Sequence, residues 1–400
     1  MKRTSRSLII AVLAFASPLA ARAAPPMEPA GTANAALVYW QAFALMPKLT
    51  DSKTAGQRAE AIDYQGIDKP VDEESQKFLD QWASKYSLRM LHRGAEIDRC
   101  DWGLDLRRDG GELVLPHVDN ARHLMRLSLL RARNHFDHGR YVEGIDDAIA
   151  TMRLARHVGR DDVTVSLLGS YSIENVAAFV VAAYLPKMPP ESLDLLAKRL
   201  AALPAHASMS QAMANEQFLL DWFIAEYEKA DPKRRLQLCR TLTGSDEKAK
   251  ILASADVLKL AADLRPLFAD LPRLSSLPLD QLENAFKEQV NPKLRSNPLG
   301  EVLFPHLLAA RRGEAGNQCR NLLLMAAVDV ARRGPAALKD HRDPFGKGPF
   351  AYAAYDGGFE LWSQWEFLPG GKPVGLRSGI RPGHGAPEGP QTAAQKSDER

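Results

Sequence analysis

The chain has 400 residues, 45% of them hydrophobic, enough for a sizeable buried core in one large or two ordinary domains. It carries 52 Lys and Arg against 49 Asp and Glu, and four of those bases lie in the first 23 residues, which leaves 48 against 49 in the remainder. A near-neutral chain gives no global electrostatic argument for binding nucleic acid or an anionic membrane.

Lys2, Arg3 and Arg6 precede an apolar run from Leu8 to Ala16, and Ala21-Arg22-Ala23 supplies the small residues that signal peptidase needs. A cleaved signal peptide over 1–23 is therefore expected, with a mature start at Ala24 and a Pro-rich leader over 24–32. The chain is then exported, either periplasmic or secreted. No later segment reads as membrane-spanning, because the longest apolar run, Val176 to Leu185, has about half of the ~20 residues required. Cys100, Cys239 and Cys319 match no metal ribbon or CxxC spacing; in an oxidising compartment two could pair and leave one free, and burial of all three without a bridge is the favoured alternative.

Helical spacing of apolar residues organises most of the remaining chain. Asn34 to Leu45 is a first helix, with Leu37, Trp40 and Ala44 on one face and Pro47 ending it. Residues 50–72 are polar and irregular. Glu73 to Arg93 is a second helix, with Phe78, Trp82, Tyr86 and Met90 at four-residue steps. Asp98 to Pro116 is a connector containing a short extended piece at Glu112–Leu115. His117–Asp137 and Arg140–Val158 each carry an apolar stripe and are joined at His138-Gly139. Asp161–Leu185 is apolar all round, which places it centrally. Such short turns require antiparallel neighbours. Further helices cover Glu191–Leu203 and Ala207–Lys229, the latter with Met213, Phe218, Trp222 and Ile224 as core. Asp231–Ser245 is basic and less regular. Pieces at 246–270, 278–290 and 298–312 precede a last strong helix, Glu314–Arg333, stopped by Gly334-Pro335. Alternation around Asp356-Gly357-Gly358 marks a β-hairpin within 341–368, and composition places a disordered tail over 369–400. The fold class is all-α: antiparallel helical hairpins forming a bundle or short irregular solenoid over 33–340, with a small C-terminal β-hairpin.

Particular residues carry three resemblances. Gly139-Arg140-Tyr141-Val142-Glu143-Gly144 through Ala148 resembles the turn and second helix of a tetratricopeptide hairpin, with no second copy at a 34-residue step. Asp343-Pro344-Phe345-Gly346-x-Gly348-Pro349-Phe350-x-Tyr352 with Gly358-Phe359-x-Leu361-x-Ser363 resembles the C-terminal hairpin of the major pseudopilin. That likeness implies the hairpin alone, since the pseudopilin N-terminal segment has no counterpart and Gln364-Trp365-Glu366-Phe367 replaces its calcium loop. More broadly, the Trp40 helix, Cys100-Asp101-Trp102-Gly103, the helices after Pro116-His117, Asn215-Glu216 and Asp343-Pro344-Phe345 occur in an order that resembles a family of exported, mostly helical bacterial proteins. That family has no assigned activity, so the resemblance implies fold and leaves function open.

No GxSxG, HExxH, Walker A or GxGxxG pattern occurs. His135-x-x-His138 has the i, i+3 spacing of two zinc ligands, but nothing nearby completes a set of three or four; a C-capping pair is the simpler reading. Asp146-Asp147 and Asp161-Asp162 point about 100° apart within each pair on a helix. The first pair reads as a solvated face near Arg153 and Arg156, the second as an N-terminal cap. Cys100-Asp101-Trp102 has His92 and His117 near in sequence, but Trp102 reads as an anchor and Asp101 as a turn cap. Glu216, beside Phe218 and Leu219, is a buried acid, paired with an Arg or poised for catalysis.

Two functional classes remain. The first is a non-catalytic module offering a concave helical surface to an envelope or secreted protein, with no nucleic acid, no cofactor and no membrane span. The alternative is a divergent exported hydrolase or lyase, with Glu216, His117, Asp101 or the His117–His138 group lining a pocket. A metal site at His135 and His138 is a minor third.

Overall fold

The computed structural model describes residues 33–47, 66–303, 307–366 and 372–380. The signal peptide, the whole leader, residues 50–65 of the irregular segment, and residues 369–371 and 381–400 of the expected tail lie outside the described residues.

Helix α1 (Ala35–Leu45) starts where the Asn34 side chain accepts from Ala36 N, an Asx cap that satisfies one of the free N–H groups of the first turn. Its buried face is Ala35, Val38, Tyr39, Ala42 and Phe43, whereas Leu37 points to solvent. The second expected helix is two: α2 (Glu73–Asp80), capped by Asp72, and α3 (Trp82–Ala95). Gln81 has ψ 141° and breaks the run. A step of four residues advances 400° on a helix, so four such residues drift by 120° and cannot share a face. Phe78 and Met90 are buried, Tyr86 is half-buried and Trp82 is exposed.

The connector holds α4 (Leu106–Asp109) and a 3-10 turn at Gly110–Glu112, in place of the expected extended piece. Then come the long helices α5 (Pro116–Asp137), α6 (Tyr141–Val158) and α7 (Thr164–Tyr184). Gly139, at φ +71°, turns the chain between α5 and α6, a backbone conformation that costs Gly little. Asp162, at φ 54°, turns it between α6 and α7. By length and composition Thr164–Lys187 would suffice to cross a membrane, contrary to the expectation from its apolar run; here 72% of its apolar window is buried inside the protein.

Helix α8 (Pro190–Ala201) and α9 (Met209–Lys229) come next, then α10 (Pro232–Thr243), α11 (Asp246–Ser254), α12 (Val257–Ser275), α13 (Leu279–Ala285), α14 (Asn291–Arg295), α15 (Pro298–Leu303) and α16 (Leu307–Arg333). The buried face of α9 is Met209, Ala212, Met213, Leu220, Phe223 and Tyr227. Phe218, Trp222 and Ile224 are half-buried instead of core. The reason is local: Arg107 lies 4.4 Å over the Phe218 ring, and Trp222 covers Gly110, where a Cβ would fall within 2.1 Å of the indole.

An antiparallel sheet closes the described chain: β1 (Ala351–Tyr355), β2 (Gly358–Glu366) and β3 (Pro373–Ser378), with β2 central. The β1–β2 hairpin is as expected. Strand β3 lies in the segment assigned to a disordered tail; it pairs Leu376 with Leu361 and Arg377 with Glu360. Composition misjudged it because four of its six residues, Val374, Leu376, Arg377 and Ser378, are buried, and a short strand needs few apolar side chains once its backbone is paired.

Two hydrophobic clusters fill the interior. One joins α1, α3, α5, α6, α8, the sheet and the later parts of α7 and α16. The other gathers α9 to α15 with Leu167 and Tyr171 of α7 and Leu307 and Ala310 of α16. Both long helices therefore pass from one core into the other.

Candidate functional site

Three polar arrangements sit on these helices. On α6, Asp147 is 1% exposed. A buried carboxylate needs partners, because leaving a charge unpaired away from water is expensive. Arg131 of α5 donates to it from Nε at 2.8 Å, and His92 of α3 from Nε2 at 2.6 Å. Burial pushes the Asp147 pKa up, but hydrogen bonds from His92 and Arg131 and the Arg131 charge hold it below the usual carboxylate range. The His92 ring, one-third exposed, lines a cleft of about 280 Å³ with Glu96, Asp146, Arg153 and Arg199. Asp146 pairs there with Arg199 at 2.6 Å, not with Arg153 or Arg156. Among the described residues, the cleft's groups able to transfer a proton are His92, Glu96 and Asp146.

A second arrangement surrounds the connector. Trp102 is buried, donates from Nε1 to the His157 carbonyl at 2.8 Å and stacks on His117 at 4.6 Å. His117 is fully buried, with Nε2 on Asp161 Oδ2 at 2.9 Å. Asp161 also accepts from Val163 N and Ser166 Oγ, which braces the turn before α7, although among the described residues no side chain caps the N–H groups of that helix. The Tyr39 hydroxyl lies 2.9 Å from His157 Nδ1. Burial foremost, then the charges of Arg160 and Arg153, pull the His157 pKa down to about 3.

The third arrangement is Glu174, fully buried in the middle of α7. Arg156 of α6 donates to Oε1 from Nε and Nη2 at 3.1 and 2.8 Å. His206 Nε2 lies 2.9 Å from Oε2, which also accepts from Asn317 and Asn321 of α16 at 3.0 and 3.1 Å. Burial alone raises the Glu174 pKa; the bond and charge of His206 and the Arg156 charge outweigh it and bring the value to about 2. The network occupies the point where α7 and α16 change cores.

The residues expected to carry chemistry lie apart. Glu216 accepts from Thr164 Oγ1 at 2.7 Å and has no Arg partner among the described residues, which corrects the expected ion pair; burial raises its pKa. Its neighbour Asn215 donates to the Asp162 carbonyl, so Glu216 and His117 both anchor to the 161–166 turn through different residues. Asp101 is exposed and accepts from Gly103 N at 3.0 Å; Trp102, not Asp101, touches His117. His135 Nδ1 accepts from Arg140 Nε at 2.9 Å, and His138 Nδ1 donates to the Asn134 carbonyl at 2.7 Å. Among the described residues no group of three or more His, Cys, Asp or Glu could hold a metal ion. His117 and His135 are eighteen residues apart on one helix, about 27 Å at 1.5 Å per residue, so the His117–His138 group does not line one pocket. Cys100, Cys239 and Cys319 are buried and unbridged.

Sequence alone pointed to no role for Glu174, His206 or the His92–Asp147 contact. A lone carboxylate inside an apolar helix was the available signal for Glu174; the other contacts join residues far apart in the chain.

On the surface, Trp82 is 66% exposed. Its ring stacks on Tyr86 at 5.1 Å, and the Arg89 guanidinium lies 4.9 Å over the Tyr86 ring. The three occupy the i, i+4, i+7 stripe of α3. Arg93, one turn further, is exposed and has no ion-pair partner among the described residues.

Comparison with protein-family models, with curated proteins and with solved structures gives no match to this chain.

Proposed function

We propose that this chain is an exported helical interaction module of the cell envelope without catalysis of its own, and that the outer face of α3 meets a protein partner. The observation that carries this reading is the Trp82–Tyr86–Arg89 stack. Tryptophan and arginine are enriched in binding hot spots; the indole covers a large area with two rotatable bonds, and the guanidinium is a planar fork that stacks and donates in fixed directions. Here stacking fixes the rings before any partner arrives, which lowers the ordering cost of association. Arg89 and Arg93 make an acidic partner surface the complementary one. Trp82→Ala and Arg89→Glu variants should each lose a partner that the wild-type chain retains from an envelope fraction, with circular dichroism unchanged. Retention by both variants refutes the α3 face as the contact. N-terminal sequencing of the exported product should begin at Ala24; an intact Met1 refutes export through this leader.

A second reading, a hydrolase or lyase, draws on the His92–Asp147 pair beside the cleft. It requires His92→Gln to abolish a turnover that the Trp82→Ala variant keeps.

A further inference from the structure

A separate cavity of about 310 Å³ opens between α1, α2 and α5, at the small end of the ~300–1,000 Å³ typical of ligand sites. Phe43, Phe78 and Leu130 are among its apolar walls, and Asn120, His123 and Arg126 are its polar lining. Its α5 residues run from Asn120 to Leu130, about 15 Å along the helix axis, with amide and imidazole toward the N-terminal end and leucines toward the other. Helical side chains lean toward the N-terminus, and Arg126 conforms: its Nη1 lies 3.3 Å from His123 Nδ1, one turn back. Arginine has no acceptor, so it donates to that nitrogen, and the neutral His123 ring carries its proton on Nε2. His123 is exposed at the cavity; partial desolvation first, then the Arg126 charge, lower its pKa against the opposing Asp119 charge. Guanidinium, imidazole and the Asn120 amide thus supply the polar lining of an otherwise apolar slot.

Among the described residues the lining contains no Asp or Glu. The nearest acid on the same turn of α5, Asp119, is exposed and occupied by Arg122 at 2.9 Å. Arg126 has no carboxylate partner among the described residues. A cation beside apolar walls, with no anion of its own, selects a ligand that supplies both an anion and a chain.

We propose that this cavity binds a small apolar carboxylate, with the carboxylate on Arg126, His123 and Asn120 and the aliphatic or aryl chain against Phe43, Phe78 and Leu130. The site stands apart from the α3 stack, and either can fail alone. The test is calorimetric titration of the full mature chain with sodium decanoate below its micellar concentration, with decan-1-ol as the neutral chain of equal length. Decanoate should saturate at one site. Arg126→Gln should weaken it by about ten- to a hundredfold, the value of a charge-assisted hydrogen bond, while decanol binding stays within twofold. Ala44→Trp, at an exposed rim position, should abolish binding of both with the circular dichroism spectrum unchanged. Absence of saturable decanoate binding overturns the proposal. So does decanoate affinity that Arg126→Gln leaves unchanged, which removes the carboxylate contact, or that Ala44→Trp leaves unchanged, which places the ligand elsewhere.

Discussion

His157 is 2% exposed and held neutral, with its pKa near 3; an unfolded His titrates near 6.5. Between those values the unfolded chain binds the extra proton, so stability rises with pH across that window and is lost as pH falls through it. Glu174 acts with the same sign lower down: its folded pKa near 2 lies below the ordinary 4.5, so its contribution is full above 4.5 and lost below. The urea midpoint should therefore fall between pH 7 and pH 5, before most carboxylates titrate, and fall faster below 4.5. His157→Gln should flatten the upper part of that decline. A midpoint that does not move between pH 7 and 5 would exclude the buried neutral His as its source.

At the scale of elements, two glycines let helices approach. A Cβ on Gly144 of α6 would lie 2.4 Å from the Phe136 ring of α5, and one on Gly94 of α3 would lie 2.5 Å from the Tyr39 ring of α1. Gly144→Ala should cost about 1–3 kcal/mol through overpacking, although Ala is the better helix former, read as a lower denaturation midpoint. An unchanged or raised midpoint would mean that α5 and α6 separate freely. Helices α5 and α6 were legible from their apolar stripes, and α7 from being apolar all round. The break at Gln81 was not. It depends on Ser84 Oγ and Gln81 N both donating to the Phe78 carbonyl, which no apolar period encodes. The same four-residue rhythm that suggested one buried face in fact leads Trp82 outward. Of the site candidates, His117 and Glu216 were recognised as unusual, but their partners Asp161 and Thr164 lie 44 and 52 residues away, beyond any local pattern. Strand β3 was missed because its order comes from pairing with β2.

At the scale of the molecule, the Glu174 network occupies the crossing between two cores. Removing one member of a buried ion pair strands the other, which typically costs about 3–5 kcal/mol. Arg156→Met should show a loss of that size in urea unfolding, and adding Glu174→Gln should restore part of it, since the buried carboxylate charge stranded by the first change is then gone. A double variant as unstable as the sum of its singles would indicate that the two residues act independently.

The sheet carries a consequence of another kind. Gly379 N donates to the Ala182 carbonyl of α7, and Val374 and Leu376 complete the same core as Val180 and Leu323. The ribosome makes the central helices some two hundred positions before β3, so the cover over them arrives late in synthesis. A chain halted after residue 370 would hold its helices with an open apolar side, a form suited to capture by chaperones or proteases and not to accumulation as a smaller stable protein.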